Sequence, residues 1–172
     1  TRDHGARPIR FIARRRLGPE ALAAAPHLKP VLIRKGALGD NVPDADMKVS
    51  PQHRMAIDGW RAEALFGQPT VLAPALALVN DRMIRVAHGA RSVEYIHILF
   101  DRHEIIFANV APTESLLPGR HVVEELERAA QDELFEIFPE LRTQPDWPAA
   151  APILKMHEAR LAAAAFADRR PT

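Results

Sequence analysis

Two histidines stand where proton transfer could be done. In Val49-Ser50-Pro51-Gln52-His53-Arg54 a hydroxyl precedes an imidazole by three residues, at a strand end. A serine hydroxyl can bond a backbone group or orient a neighbour, and an imidazole near neutral pH can deliver a proton. In Asp101-Arg102-His103-Glu104 an imidazole near a turn is flanked by acids, which suits a proton shuttle. On spacing alone, each segment also reads as an ordinary polar turn. The other six histidines, His4, His27, His88, His97, His121 and His157, stand alone and read as surface or packing residues. His97 and His103 could share a metal, but no third ligand has recognisable spacing, so no metal site is expected. Cysteine is absent, which removes a thiolate nucleophile, a Cys-type zinc site and a disulfide framework from these residues. No glycine-rich phosphate loop, Gly-x-Ser-x-Gly elbow or His-Glu-x-x-His helix occurs, and no cofactor is expected.

The elements that must hold these side chains are short. The chain has 172 residues, 26% of them charged, with a formal net charge of +1. That is globular composition, and it argues against disorder and against a globally basic nucleic-acid binder. No apolar run approaches the roughly 18 residues needed to span a membrane. The 15 prolines punctuate brief apolar segments, which suits strands and turns over a helical bundle. Alternation predicts a strand over 8–16, and Gly18-Pro19-Glu20 opens a short helix. Further strands are predicted over 31–33, 47–50, 54–57, 71–72 and 83–86, with a helical turn over 61–66. The strongest β pattern runs over 92–109, where Val93, Tyr95, His97 and Leu99 alternate with Glu94, Ile96, Ile98 and Phe100. It predicts a long hairpin near the sheet centre, turning at Asp101-Arg102. After Pro118-Gly119 the period changes. Val122, Val123, Leu126, Leu134, Ile137 and Phe138 recur at helical spacing, and a second helix is predicted over about 150–167 beyond a turn-rich linker at 143–148. The expected fold class is mainly β, a β domain over 1–116 with a helical extension over 117–172.

Taken in order, these segments resemble the Hint domains, the fold shared by Hedgehog autoprocessing domains and inteins. Residues 1–12 look like the strand that follows the early Gly-Asp-x-Val-x-Thr segment of that family. Ser50-Pro51-Gln52-His53-Arg54 resembles the second Hint motif, normally Thr-x-x-His. Residues 94–109 resemble the late motif, in which two strands precede an Ala-Asn-type end. The wording of Ser-Pro-Gln-His-Arg and Asp-Arg-His-Glu, with the trailing Thr113-Glu114-Ser115, is similar to the bacterial Hint-type subgroup. The resemblance covers roughly 1–140 and implies a Hint-like fold of bent antiparallel strands.

The resemblance also implies a chemistry. In Hint domains an initial cysteine or serine attacks the preceding carbonyl and turns an amide into a thioester or ester. The leaving nitrogen needs a proton, a general-acid role worth about 10²–10⁴ in rate. By resemblance His53 supplies it, Ser50 holds the scissile peptide or its developing oxyanion, and His103 assists or orients the site. The initiating nucleophile is expected upstream of Thr1, so residues 1–172 should be inactive alone. Inteins end in His-Asn where Thr113-Glu114-Ser115 stands in this chain, which argues against splicing. Ala13 occupies the place of the Hedgehog aspartate that activates cholesterol, which argues against sterol transfer. The expected activity is cleavage in cis by an N-to-S/O acyl shift, and the alternative is a catalytically inactive Hint scaffold that binds or supports. The expected partner is the chain's own N-terminal flanking segment, with a further protein partner open to the C-terminal helices, and neither nucleic acid nor membrane.

Overall fold

Alternating apolar positions and frequent prolines cut the first two-thirds of the chain into short strands. The computed structural model describes residues 1–124, 126, 128–143 and 146–167. Strand β1 (Phe11–Leu17) pairs antiparallel with β7 (Val93–Leu99), which sets Phe11 against Leu99 and Ala13 against His97. Strand β2 (Val31–Ile33) lies between β3 (Met47–Val49) and β6 (Ile84–Val86). In the third sheet β4 (Arg54–Asp58) lies between β5 (Thr70–Pro74) and β9 (Ala111–Glu114), and β8 (Ile105–Ala108) is the outer neighbour of β9. Every pairing between these strands is antiparallel, so the fold is mainly β, as a Hint-like scaffold requires.

Short helices fill the corners. Helix α1 (Pro19–Ala24) has proline at its start and buries Leu22. Helix α2 (Trp60–Phe66) stops at Gly67, whose left-handed φ of 65° lets its N–H reach the carbonyls of Ala62 and Glu63. The extension carries α3 (Arg120–Glu124), α4 (Arg128–Ile137) and α5 (Met156–Ala167). Of the predicted helical stretch after Pro118, residues 125 and 127 lie outside the described residues, as do 144 and 145 of the linker and 168–172 at the end.

The hairpin predicted over 92–109 does not form. β7 pairs with β1, and β8 pairs with β9. The turn that wins is Asn109-Val110, where both residues have positive φ, 49° and 56°. Positive φ at both central positions gives a two-residue turn the twist of its flanking strands, so β8 folds onto β9 directly. Phe100, buried at 6% exposure, follows β7 as the chain crosses between the sheets. The second predicted helix also starts late. Residues before α5 lie along β5 instead, with the Leu72 N–H donating to the Pro152 carbonyl and the Leu154 N–H to the Leu72 carbonyl, each at 2.9 Å. Glu158 then accepts the Lys155 N–H at 2.7 Å, half of a capping box that starts the helix at Met156.

Both main apolar clusters draw on strands and extension together. Met55, Ile57, Val71 and Ala73 pack with Leu154, Ala159 and Ala163. Phe11, Ala13 and Leu99 pack with Leu134, Phe138 and Leu141. Residue 116 thus marks a change of element type, and apolar packing crosses it. Among the described residues no helix is long and apolar enough to cross a membrane.

Candidate active site

The turn before β4 presents His53. Its N–H donates to the Ser50 carbonyl at 3.1 Å and to Ser50 Oγ at 3.2 Å. Its carbonyl accepts from the Ala75 N–H at 2.8 Å, which ties the residue to the chain just after β5. The backbone is thus held on both sides and the ring is aimed. Its Nε2 hydrogen-bonds Thr113 Oγ1 on β9.

β9 reaches this corner because the tight Asn109-Val110 turn fixes its register. Among the described residues, only Met55 and Thr113 form a register pair between β4 and β9. Side chains complete what the backbone ladder leaves open. Thr113 Oγ1 lies 3.1 Å from the Arg54 carbonyl, and Glu114 Oε1 accepts the Arg54 N–H at 2.8 Å. Glu114 Oε2 accepts from Arg54 Nη1 at 2.9 Å and lies 3.4 Å from His103 Nε2. The His103 ring is fully buried, and its Nδ1 accepts the Ala150 N–H at 2.9 Å. A nitrogen that accepts an amide hydrogen carries none of its own in the neutral ring, so the His103 proton sits on Nε2, the nitrogen nearer Glu114, without closing a hydrogen bond to it.

The charges are mutually dependent. Burial pushes His53 below the ordinary imidazole range; Glu114 pulls it upward, and His97, Arg54 and His103 push it down again. Burial alone would raise the Glu114 carboxyl, but contacts with His103, Arg54 and His53 outweigh it, and it stays below the usual carboxylate range. The result is a neutral-leaning imidazole beside a firmly ionised carboxylate.

A second pair lies across the start of β8. Glu104, 2% exposed, meets His4 Nδ1 at 2.8 Å through Oε2, and its N–H donates to Ser115 Oγ at 3.0 Å. His4, Arg102, His103 and Glu104 line a cavity of about 430 Å³ with residues 148–150. Ser50 and His53 do not line it.

Of the three residues singled out in the sequence, His53 and His103 converge on the Thr113-Glu114 pair. The Ser50 hydroxyl bonds the His53 amide, and the hydroxyl on the imidazole is Thr113's. Sequence reasoning passed over Thr113 and Glu114 as site residues, and read His97 as a surface or packing residue. The one local signal was Asn109 as a turn residue, which marks 111–114 as a return strand; which strand it lies beside is set by the tertiary fold.

Comparison with known proteins bears on the same residues. No curated protein and no solved structure matches the chain. The sequence model of the Hint domain family matches residues 1–120, a span that holds every described strand and the whole His53, His103, Thr113 and Glu114 cluster. With well over half of its 172 residues matched, the chain belongs to the Hint domain family.

Proposed function

We propose that this chain is the autoprocessing part of a longer protein and acts once, in cis, by an N-to-S/O acyl shift. The nucleophile is a cysteine or serine preceding Thr1 in that protein, and residues 1–172 do not cleave alone. The observation that carries this reading is the His53 imidazole, anchored at its backbone and at Nε2, with its charged form disfavoured by burial. A histidine neutral at rest must first receive the proton that it later delivers. The nucleophile's own S–H or O–H proton passes to His53 as sulfur or oxygen bonds the scissile carbonyl carbon. The tetrahedral intermediate then expels the amide nitrogen, which takes that proton as the C–N bond breaks. Water cleaves the resulting thioester or ester and frees the N-terminal flank. Ser50 Oγ accepts from the His53 amide and keeps its own O–H for the scissile carbonyl. His103 supports Glu114, and so the charge balance around His53.

The test is cleavage of a longer chain carrying the upstream nucleophile, followed on gels. His53→Ala should slow release by about 10²–10⁴. Ser50→Ala should slow it less, because water can replace one hydroxyl hydrogen bond worth about 0.5–1.5 kcal/mol. Equal release by the parent and His53→Ala would sink the mechanism. No release by the parent, with its nucleophile in place, would favour a Hint scaffold that binds without cleaving.

A further inference from the structure

We infer that Thr113 is the positioning residue that decides which nitrogen of His53 exchanges the proton: its hydroxyl keeps Nε2 protonated and leaves Nδ1 to give and take. This rests on the acyl-shift reading above for its use in catalysis, and on geometry alone for the tautomer.

The β4–β5 ladder sets the direction of the peptide groups beside His53. Antiparallel strands alternate bonded and non-bonded pairs. The Ala75 N–H donates to the His53 carbonyl, so the next residue, Arg54, opposite Pro74, falls at a non-bonded pair. The peptide groups of Arg54 therefore point away from β5, toward β9. There its N–H meets Glu114 Oε1, and its carbonyl meets Thr113 Oγ1 at 3.1 Å. A threonine hydroxyl has one hydrogen and two lone pairs. That hydrogen has three acceptors within reach, the Arg54 carbonyl, Met55 Sδ at 3.6 Å and His53 Nε2 itself, and we assign it to the Arg54 carbonyl. Spent there, it leaves the His53 ring a lone pair. Only an N–H can complete that contact, so Nε2 carries the hydrogen.

In the neutral ring, Nδ1 is then the only basic nitrogen. The same hydroxyl accepts from Nε2 in the charged ring, so the imidazole can load and unload a proton at Nδ1 without turning. That is a positioning role, exerted through His53.

Nitrogen NMR of the 172-residue chain, with labelled histidine, reads the tautomer directly. A His53→Gln sample assigns the signal. At a pH where His53 is neutral, the parent should show hydrogen on Nε2. Thr113→Val should give a mixture of tautomers, and Thr113→Ser should restore the parent pattern. In the longer chain, Thr113→Val should slow release about ten-fold and alter its pH profile. The loss stays well short of the roughly 10⁴ that a locked wrong tautomer costs a serine-protease triad, because valine frees the ring without locking it. Thr113→Ser should recover most of the rate. Hydrogen on Nδ1 in the parent, or an unchanged Nε2–H tautomer in Thr113→Val, would overturn the inference. Because this spectrum needs no cleavage, a longer chain that fails to cleave would defeat the acyl-shift reading and leave the tautomer result to decide the role of Thr113.

Discussion

Glu114→Gln should destabilise the protein by about 3 kcal/mol at neutral pH, the lower end of the cost of breaking a buried ion pair. The carboxylate is 7% exposed and accepts from two donors, the Arg54 N–H at 2.8 Å and Arg54 Nη1 at 2.9 Å, with His103 Nε2 3.4 Å away. Glutamine offers one acceptor oxygen. If that oxygen keeps the Arg54 N–H, the new NH₂ group faces two other donors. If the amide flips, the Arg54 N–H is stranded. Leaving one buried donor unpaired costs about 1–3 kcal/mol. Removing one partner of a buried ion pair costs about 3–5 kcal/mol. The Arg54 side chain is 27% exposed and recovers some hydration, which places the sum nearer the lower figure. The pH dependence follows from the depressed carboxyl. A folded-state pKa below the unfolded one gives stability that is present above the unfolded value and lost as pH falls through the folded value. The gap between parent and Glu114→Gln should therefore narrow as pH drops below the ordinary value of 4.5. Urea unfolding of both proteins at neutral pH and in acid measures it. A neutral-pH gap under about 0.5 kcal/mol, the scatter of an ordinary surface substitution, would refute the clamp. So would a large gap that ignores acid.

Two further outcomes follow from the packing. Tyr95 is the one tyrosine, its hydroxyl donates to the Leu28 carbonyl at 2.7 Å, and burial pushes its pKa from 10.0 up to about 12. An ultraviolet titration should show no tyrosinate until well past pH 10. The stability contributed by the neutral hydroxyl should fade as pH rises from 10 towards 12, and a native protein ionising near 10 would contradict the contact. Leu154→Ala should lower the stability of the whole chain by about 2–5 kcal/mol, because Leu154 fills the cluster under β4 and β5. One cooperative urea transition is expected for both proteins; an extension that unfolds alone, ahead of an intact β core, would show that the shared clusters do not couple the two parts.

Local patterns made most elements legible in the sequence. Pro30 ahead of Val31-Leu32-Ile33, the Ser50-Pro51 stop and the Asp58-Gly59 break each bound a strand that forms where expected. Strand pairing was less legible. The apolar run over 92–109 looks like one hairpin because both halves are strands, yet their partners are set by a remote strand, β1, and by the turn at Asn109-Val110. A turn containing a β-branched residue at positive φ is a poor sequence signal, since valine rarely adopts it. The placing of His53 at a strand end was legible from its motif. The contacts that Thr113 and Glu114 make around it were not, because they arise only once β9 is laid beside the start of β4.

That placement explains why the site lies where a ladder stops. Were β9 paired with β4 one residue further, the Glu114 carbonyl would take the Arg54 N–H. Glu114 would lose its best donor, and the charge that holds Arg54 and His103 together would have to be desolvated with less compensation. With a single register pair, the Glu114 carboxylate takes the Arg54 N–H, the Thr113 hydroxyl adds a contact to the Arg54 carbonyl, and both side chains gain their orientation from doing so. The Arg54 N–H that the backbone ladder leaves open is therefore what holds the Glu114 carboxylate at this junction, and the next residue toward the N-terminus is His53 itself.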